Sequence, residues 1–212
     1  MERQIRKALL FSWKVASVYA AQKNAGVVME RLLPNILTVA RMVAVPLMVV
    51  LFYLDAPWAN LLKVILFCLA CTTDFFDGYL ARRWLQVSEF GRTFDPVADK
   101  LLVSATLLML AGTHVLSGLT LVPAAVILCR EVLVSGLREF LSQNATRLPV
   151  TRCAKGKTVA QLLSIFLLLV AHSYPEWKSV LFLGKTSLWI AACLTIATGA
   201  QYFRSALPFL RL

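Results

Sequence analysis

The sequence predicts an all-α polytopic membrane protein: six transmembrane helices preceded by an amphipathic helix at the membrane interface. Three observations predict it. Of 212 residues, 59% are hydrophobic and only 16% are charged, with a mean hydropathy of +0.72. Soluble domains average about 45–50% apolar and about 25% charged, so an ordinary soluble domain, a disordered chain and a disulfide scaffold are all excluded. Six apolar segments follow one another at lengths close to the ~20 residues that a bilayer crossing needs. The basic residues collect in alternate loops, the pattern expected of a polytopic protein.

Residues 1–32 form the first unit. Arg3, Arg6, Lys7, Lys14 and Lys23 interleave with Leu9, Leu10, Phe11, Trp13, Val15 and Val18. The segment has no long apolar core and no small-residue cleavage site, so it reads as an interfacial helix rather than a removed signal peptide. Residues 33–212 form the second unit, with apolar segments near 36–54, 58–81, 100–116, 118–138, 157–172 and 178–204. The loops between them are short, none is a Gly/Ser linker, and no internal repeat is present.

The chain carries 22 Lys and Arg against 11 Asp and Glu, a formal charge of +11. In a soluble protein this excess would suggest nucleic acid. Here it fits basic loops facing anionic membrane lipids, and a phosphate-bearing substrate is a second reason for it. With both termini in the cytoplasm, regions 1–35, 82–100, 138–157 and the C-terminal end hold six, four, five and two of the 22 cations. Lys63, Lys178 and Lys185 lie near the opposite face, and Arg41 and Arg130 lie within spans. The five cysteines are an odd number. Cys68 and Cys71 form a C-x-x-C inside an apolar segment without a second ligand pair, which is a packing pattern rather than a zinc or redox motif.

Residues 74–99 carry the chemistry. They read Asp74-Phe-Phe-Asp77-Gly78-Tyr-Leu-Ala81-Arg82, then eight residues, then Gly91-Arg-Thr-Phe-Asp95-Pro-Val-Ala-Asp99. Ionised Asp costs ~2.5–3.5 kcal/mol at the centre of a membrane helix. Four acids at the end of one span and the start of the next therefore need a cation. Helical spacing of three puts Asp74 and Asp77 on one face, and spacing of four does the same for Asp95 and Asp99. With the two faces together, four hard oxygen donors suit a pair of Mg²⁺ or Mn²⁺ ions of the kind that serves phosphoryl transfer. Gly78 and Gly91 would let a substrate approach the backbone, although a lone glycine in a membrane helix also serves close helix packing. Snorkelling end residues explain one acid, not four at paired spacings. An ion path in a transporter is the competing reading from another class, but the acids sit at span ends rather than at the midplane.

At every fixed position, residues 74–99 resemble the signature of the CDP-alcohol phosphotransferases: D-x-x-D-G-x-x-A-R, eight residues, G-x-x-x-D-x-x-x-D. Three further stretches resemble the phosphatidylglycerophosphate synthases of bacteria within that family. They are Leu33-Pro-Asn35-Ile-Leu-Thr38-Val-Ala-Arg41 with Pro46, Cys129-Arg130-Glu131-Val132 with Leu137-Arg138-Glu139, and Lys155-Gly156-Lys157-Thr158 with Gln161. Ala154 departs from that group, which usually has Gly there.

The resemblance implies a six-helix CDP-alcohol phosphotransferase fold in the inner membrane, with termini and active site cytoplasmic, and a homodimer. It implies CDP-diacylglycerol as donor and sn-glycerol 3-phosphate as acceptor, with CMP leaving; phosphatidylinositol-phosphate, phosphatidylserine and cardiolipin synthases share the signature with other acceptors. It assigns two divalent ions to Asp74, Asp77, Asp95 and Asp99, with Asp99 also the general base. Gly78 and Arg82 would meet the donor's cytidine diphosphate, with Asn35, Thr38, Arg41, Ser88 and Gly91 beside them. The acceptor's phosphate dianion calls for Arg130, Arg138, Lys155 and Lys157. For Arg130 the alternative is an ion pair with Glu131 that orders helix packing. For the other three it is positive-inside topology.

Overall fold

The computed structural model describes residues 36–54, 56–84, 89–143 and 152–209, without the side chains of 74–84, 89–93, 95, 96, 99, 142, 143 and 152–155. The expected interfacial helix over 1–32, together with Asn35 and Ser88, lies outside the described residues.

All regular structure among the described residues is helical. A chain this apolar must satisfy its backbone N–H and C=O groups within each segment, and a helix does so. The helices are α1 (Ile36–Phe52), α2 (Pro57–Trp84), α3 (Glu89–Gly112), α4 (Leu121–Gln143), α5 (Arg152–Ser173) and α6 (Lys178–Ala206). Among the described residues, three stretches are long and apolar enough to cross a membrane: Gly118–Leu141, Gly156–Ser173 and Lys178–Phe209. Ile36–Phe52, Pro57–Thr73 and Lys100–Gly112 are shorter apolar helices of 10–17 residues. In α2 and α3 the helix outruns its apolar part. They are 28 and 24 residues long, and the remainder of each is the acidic segment.

The apolar segment expected over 100–116 ends earlier as a helix, at Gly112. His114 takes a left-handed φ of 60°, which stops the helix there. Leu116 then turns back into the core at 1% exposure. Its hydrophobicity serves the turn rather than a longer span, and composition alone does not separate the two.

α5 packs against α2, α3 and α6, and α4 packs against α3 and α6. The centre of α5, with Ile165, Leu168 and Leu169, is fully buried. Gly184 allows α6 to come close, because a Cβ there would stand 3.1 Å from two side-chain carbons of Leu168. Val132, Leu133 and Phe182 are more than 70% exposed. Large apolar side chains around the outside suit a lipid solvent, not water.

Lys63 of α2 is buried, at 2% exposure. Its Nζ lies 3.2 Å from His172 Nε2 on α5 and 4.7 Å from the centre of the Phe52 ring on α1. The Phe52 and His172 rings stack at 5.3 Å. Three helices therefore meet on one buried amine, away from the acidic segment. His172→Leu leaves part of that amine unmet and should lower the thermal midpoint in detergent by roughly 2–10 °C. Adding Lys63→Met should recover part of the loss, since removing both partners is cheaper than removing one. Additive losses would show that the two side chains do not act together.

Candidate functional site

The last three turns of α2 carry Asp74, Asp77, Gly78 and Arg82, and the first three turns of α3 carry Gly91, Asp95 and Asp99. The backbone is helical at all seven, so the spacings of three and four residues hold in the structure as they do in the sequence. Residues 85–88 join the two helices, which brings both acidic segments to the same end of the bundle. The side chains of these seven residues lie outside the described set. On α1, Thr38 and Arg41 are buried at 0% and 3% exposure, while Ile36, Val39 and Val43 of the same helix are exposed. An arginine in an apolar helix is kept where it faces the bundle interior.

At that same end, α3, α4 and α5 border a small cleft of about 30 Å³, lined by Lys100, Ser104, Glu131, Lys157, Thr158 and Gln161 among others. Lys100 follows Asp99 directly, which ties the cleft to the acidic segment. Glu131 is its hub. The Glu131 carboxylate accepts hydrogen bonds from Lys157 of α5 and from Arg130 Nη1, the latter at 3.3 Å. Lys100 donates to the Ser135 hydroxyl, which donates in turn to the Glu131 backbone carbonyl at 2.7 Å. The side chains of Lys157, Arg130 and Glu131 are 8%, 15% and 17% exposed. Lys100, Lys157 and Arg130 are thus gathered around Glu131, directly or through Ser135.

Arg130 is not part of the cleft lining itself, and its head bridges Glu131 and α6. Its Nη2 donates to the Thr198 hydroxyl at 3.3 Å, and its stem lies against Gly199. Of the four cations expected at the acceptor, the structure joins Arg130 and Lys157 through Glu131. Arg138 is set apart: it is exposed, 6.0 Å from the centre of the Tyr202 ring, and eight residues or ~12 Å along α4 from Arg130. Lys155 lies on α5 without a described side chain. The ion pair foreseen for Arg130 and Glu131 is present, and Lys157 shares it. Reading the sequence missed Ser104, Ser135 and Thr198, and placed Lys100 only among the neighbours of the acids. Signals existed: Lys100 with Ser104, and Glu131 with Ser135, are pairs four apart and so share helix faces.

The family model "CDP-alcohol phosphatidyltransferase" matches residues 31–197. A protein of Cereibacter sphaeroides is 41% identical over 84% of this chain and 97% of its own length. One of Rickettsia bellii is 44% identical over 82% of this chain and 94% of its own, and one of Pseudomonas fluorescens is 42% identical over 84% and 92%. All three bear the name CDP-diacylglycerol–glycerol-3-phosphate 3-phosphatidyltransferase. With its signature on the end of α2 and the start of α3 and with relatives matched along nearly their whole length, the chain belongs to the CDP-alcohol phosphatidyltransferase family.

Proposed function

We propose that this protein transfers the phosphatidyl group of CDP-diacylglycerol to sn-glycerol 3-phosphate, giving phosphatidylglycerophosphate and CMP. The observation that carries the reading is the complete 74–99 signature in a chain 41–44% identical to transferases of that name. The acceptor's hydroxyl oxygen forms a bond to the β-phosphorus, the bond from that phosphorus to the CMP oxygen breaks, and the hydroxyl proton goes to Asp99.

Asp74, Asp77, Asp95 and Asp99 are the proposed holders of two divalent ions. A donor set made wholly of carboxylates fits Mg²⁺ or Mn²⁺ and not a softer metal. Bound there, the ions would offset the negative charge of the diphosphate. Gly78, Arg82 and Gly91 would receive the donor's diphosphate, with Asn35, Thr38, Arg41 and Ser88 beside them. Lys157 and Arg130, held together by Glu131, would receive the acceptor's phosphate. Arg138 and Lys155 would stand nearer the water and attract it.

The surrounding architecture is part of the proposal. Residues 33–212 form one domain of six membrane-crossing helices, and 1–32 lie along the interface. Termini and site face the cytoplasm, where 17 of the 22 Lys and Arg would then lie. The chain pairs as a homodimer in the inner membrane. The lipid donor enters sideways from the inner leaflet, and the water-soluble acceptor enters from the cytoplasm.

CMP release from CDP-diacylglycerol and glycerol 3-phosphate should stop in EDTA and return with Mg²⁺ or Mn²⁺. Asp77→Asn and Asp95→Asn should each abolish it while the protein still assembles. Activity surviving chelation, or surviving both substitutions, would overturn the metal assignment.

The acceptor assignment has its own test. Losing a charge-assisted contact costs ~1.5–3 kcal/mol, roughly 10- to 150-fold. Lys157→Ala should raise KM for glycerol 3-phosphate by that factor and leave KM for CDP-diacylglycerol nearly unchanged, whereas Arg82→Ala should do the reverse. Arg138→Ala should have the smaller effect of an exposed cation. Steady-state kinetics with each substrate varied in turn decides the matter, and equal shifts for both substrates would refute the assignment.

A further inference from the structure

We propose that Thr198 and Gly199, in α6, are positioning residues for the acceptor's phosphate that act through Arg130. The inference rests on the reading of Arg130 as an acceptor-binding group and adds α6 to that site. Nothing in the signature or the other recognised segments points to α6.

Arg130 and Glu131 are neighbours in α4, and adjacent helical residues do not face each other. Glu131 lines the cleft beside Lys157, while Arg130 leaves α4 toward α6. A long, many-rotamer side chain at the edge of the cleft needs something to fix its head. α6 supplies two contacts. The Thr198 hydroxyl donates into its own helix, 2.8 Å from Leu194 O and 3.2 Å from Thr195 O. That leaves its oxygen free to accept from Arg130 Nη2 at 3.3 Å. At Gly199 the arginine stem lies directly on the helix backbone. A Cβ there would stand 3.1 Å from both Cγ and Nε of Arg130 and 3.8 Å from Cδ, so any side chain would push the arginine outward. Glycine is a poorer helix former than alanine, and here its place in mid-helix has a specific reason.

The two contacts also set the orientation. Arg130 Nη1 is held by Glu131 at 3.3 Å and Nη2 by Thr198 at 3.3 Å. Its Nε has no hydrogen-bond partner among the described residues. Each terminal nitrogen carries two hydrogens, so each keeps one for another acceptor. Two parallel N–H groups on a planar fork match two oxygens of a phosphate. Thr198 and Glu131 thus fix the guanidinium from either side and leave one hydrogen on each terminal nitrogen unspent.

The test uses the purified full-length protein in lipid–detergent micelles, with CMP release followed as each substrate is varied and thermal unfolding measured alongside. Arg130→Ala should raise KM for glycerol 3-phosphate at least about tenfold. Thr198→Val, which keeps the shape and removes the acceptor, and Gly199→Ala should each raise it about three- to tenfold, with KM for CDP-diacylglycerol unmoved. Thr198→Ser should restore the wild-type value to within about twofold. In the Arg130→Ala background, Thr198→Val should add nothing, because its only route to the substrate is gone. A Thr198→Val effect that persists in that background, or one that moves both KM values together with the thermal midpoint, would reduce α6 to packing and overturn the proposal. Should Gly199→Ala fail to fold, the Val and Ser variants at 198 decide alone. If Arg130→Ala raises KM and the α6 variants do not, this inference alone falls. If Arg130→Ala leaves KM unchanged, the acceptor role of Arg130 falls with it.

Discussion

The Glu131 carboxylate takes a hydrogen bond from Lys157 of α5 and one from Arg130 of its own helix, and Arg130 continues to Thr198 of α6. Its backbone carbonyl takes the Ser135 hydroxyl, to which Lys100 of α3 is bound. Four helices are therefore tied at one end of the bundle through a single residue. The reason lies in the solvent. A cation among apolar helices is expensive unless a carboxylate or several dipoles meet it, and Glu131 meets two. Removing it would leave Arg130 and Lys157 facing each other, so the residue matters to folding and to anion binding alike.

The same constraint divides the bundle into two ends. One end carries the acidic segments of α2 and α3, the Glu131 cluster and the cleft. At the other, Lys63 meets His172 and Phe52. Between them the core is aliphatic, with Leu107, Leu110, Ile127 and Leu168 at 0–1% exposure. In the proposed reaction the polar end does the chemistry, and the apolar outer faces keep the donor's acyl chains in lipid. A dianionic acceptor and a diphosphate donor need opposite local fields from the free enzyme's carboxylates. The proposed ions would reverse the field at the acids, and the cation cluster supplies it at the cleft.

How much of this was legible in the sequence depends on the range of the signal. The helices were, because apolar runs and their interruptions are local; α6 was expected over 178–204 and runs to Ala206. The end of α3 was less legible, since Leu116 is as apolar as any span residue but plugs a turn. The helical backbone under the four acids follows from local pattern, and the pairing of Arg130 with Glu131 follows from their adjacency. The link from Glu131 to Lys157 spans 26 residues, and that from Arg130 to Thr198 spans 68. No local pattern reports contacts of that length. A threonine in an apolar helix ordinarily bonds to its own carbonyls, and a glycine there ordinarily serves packing, so Thr198-Gly199 carries no mark of its partner. Arg138 has a long-range neighbour of the same kind: it stands exposed beside Tyr202 of α6, which its sequence surroundings do not report.

The central claim is that a cation-rich cleft beside the acidic segment selects a phosphorylated glycerol as acceptor. An acceptor panel tests it most directly. The purified protein, given CDP-diacylglycerol and Mg²⁺, is offered glycerol 3-phosphate, serine, inositol phosphate and phosphatidylglycerol in turn, and CMP release is measured with the lipid product. The account predicts rapid release and phosphatidylglycerophosphate with glycerol 3-phosphate, and only background with the other three. Turnover with serine or phosphatidylglycerol equal to or above that with glycerol 3-phosphate would contradict it, because neither brings a phosphate dianion to the cleft.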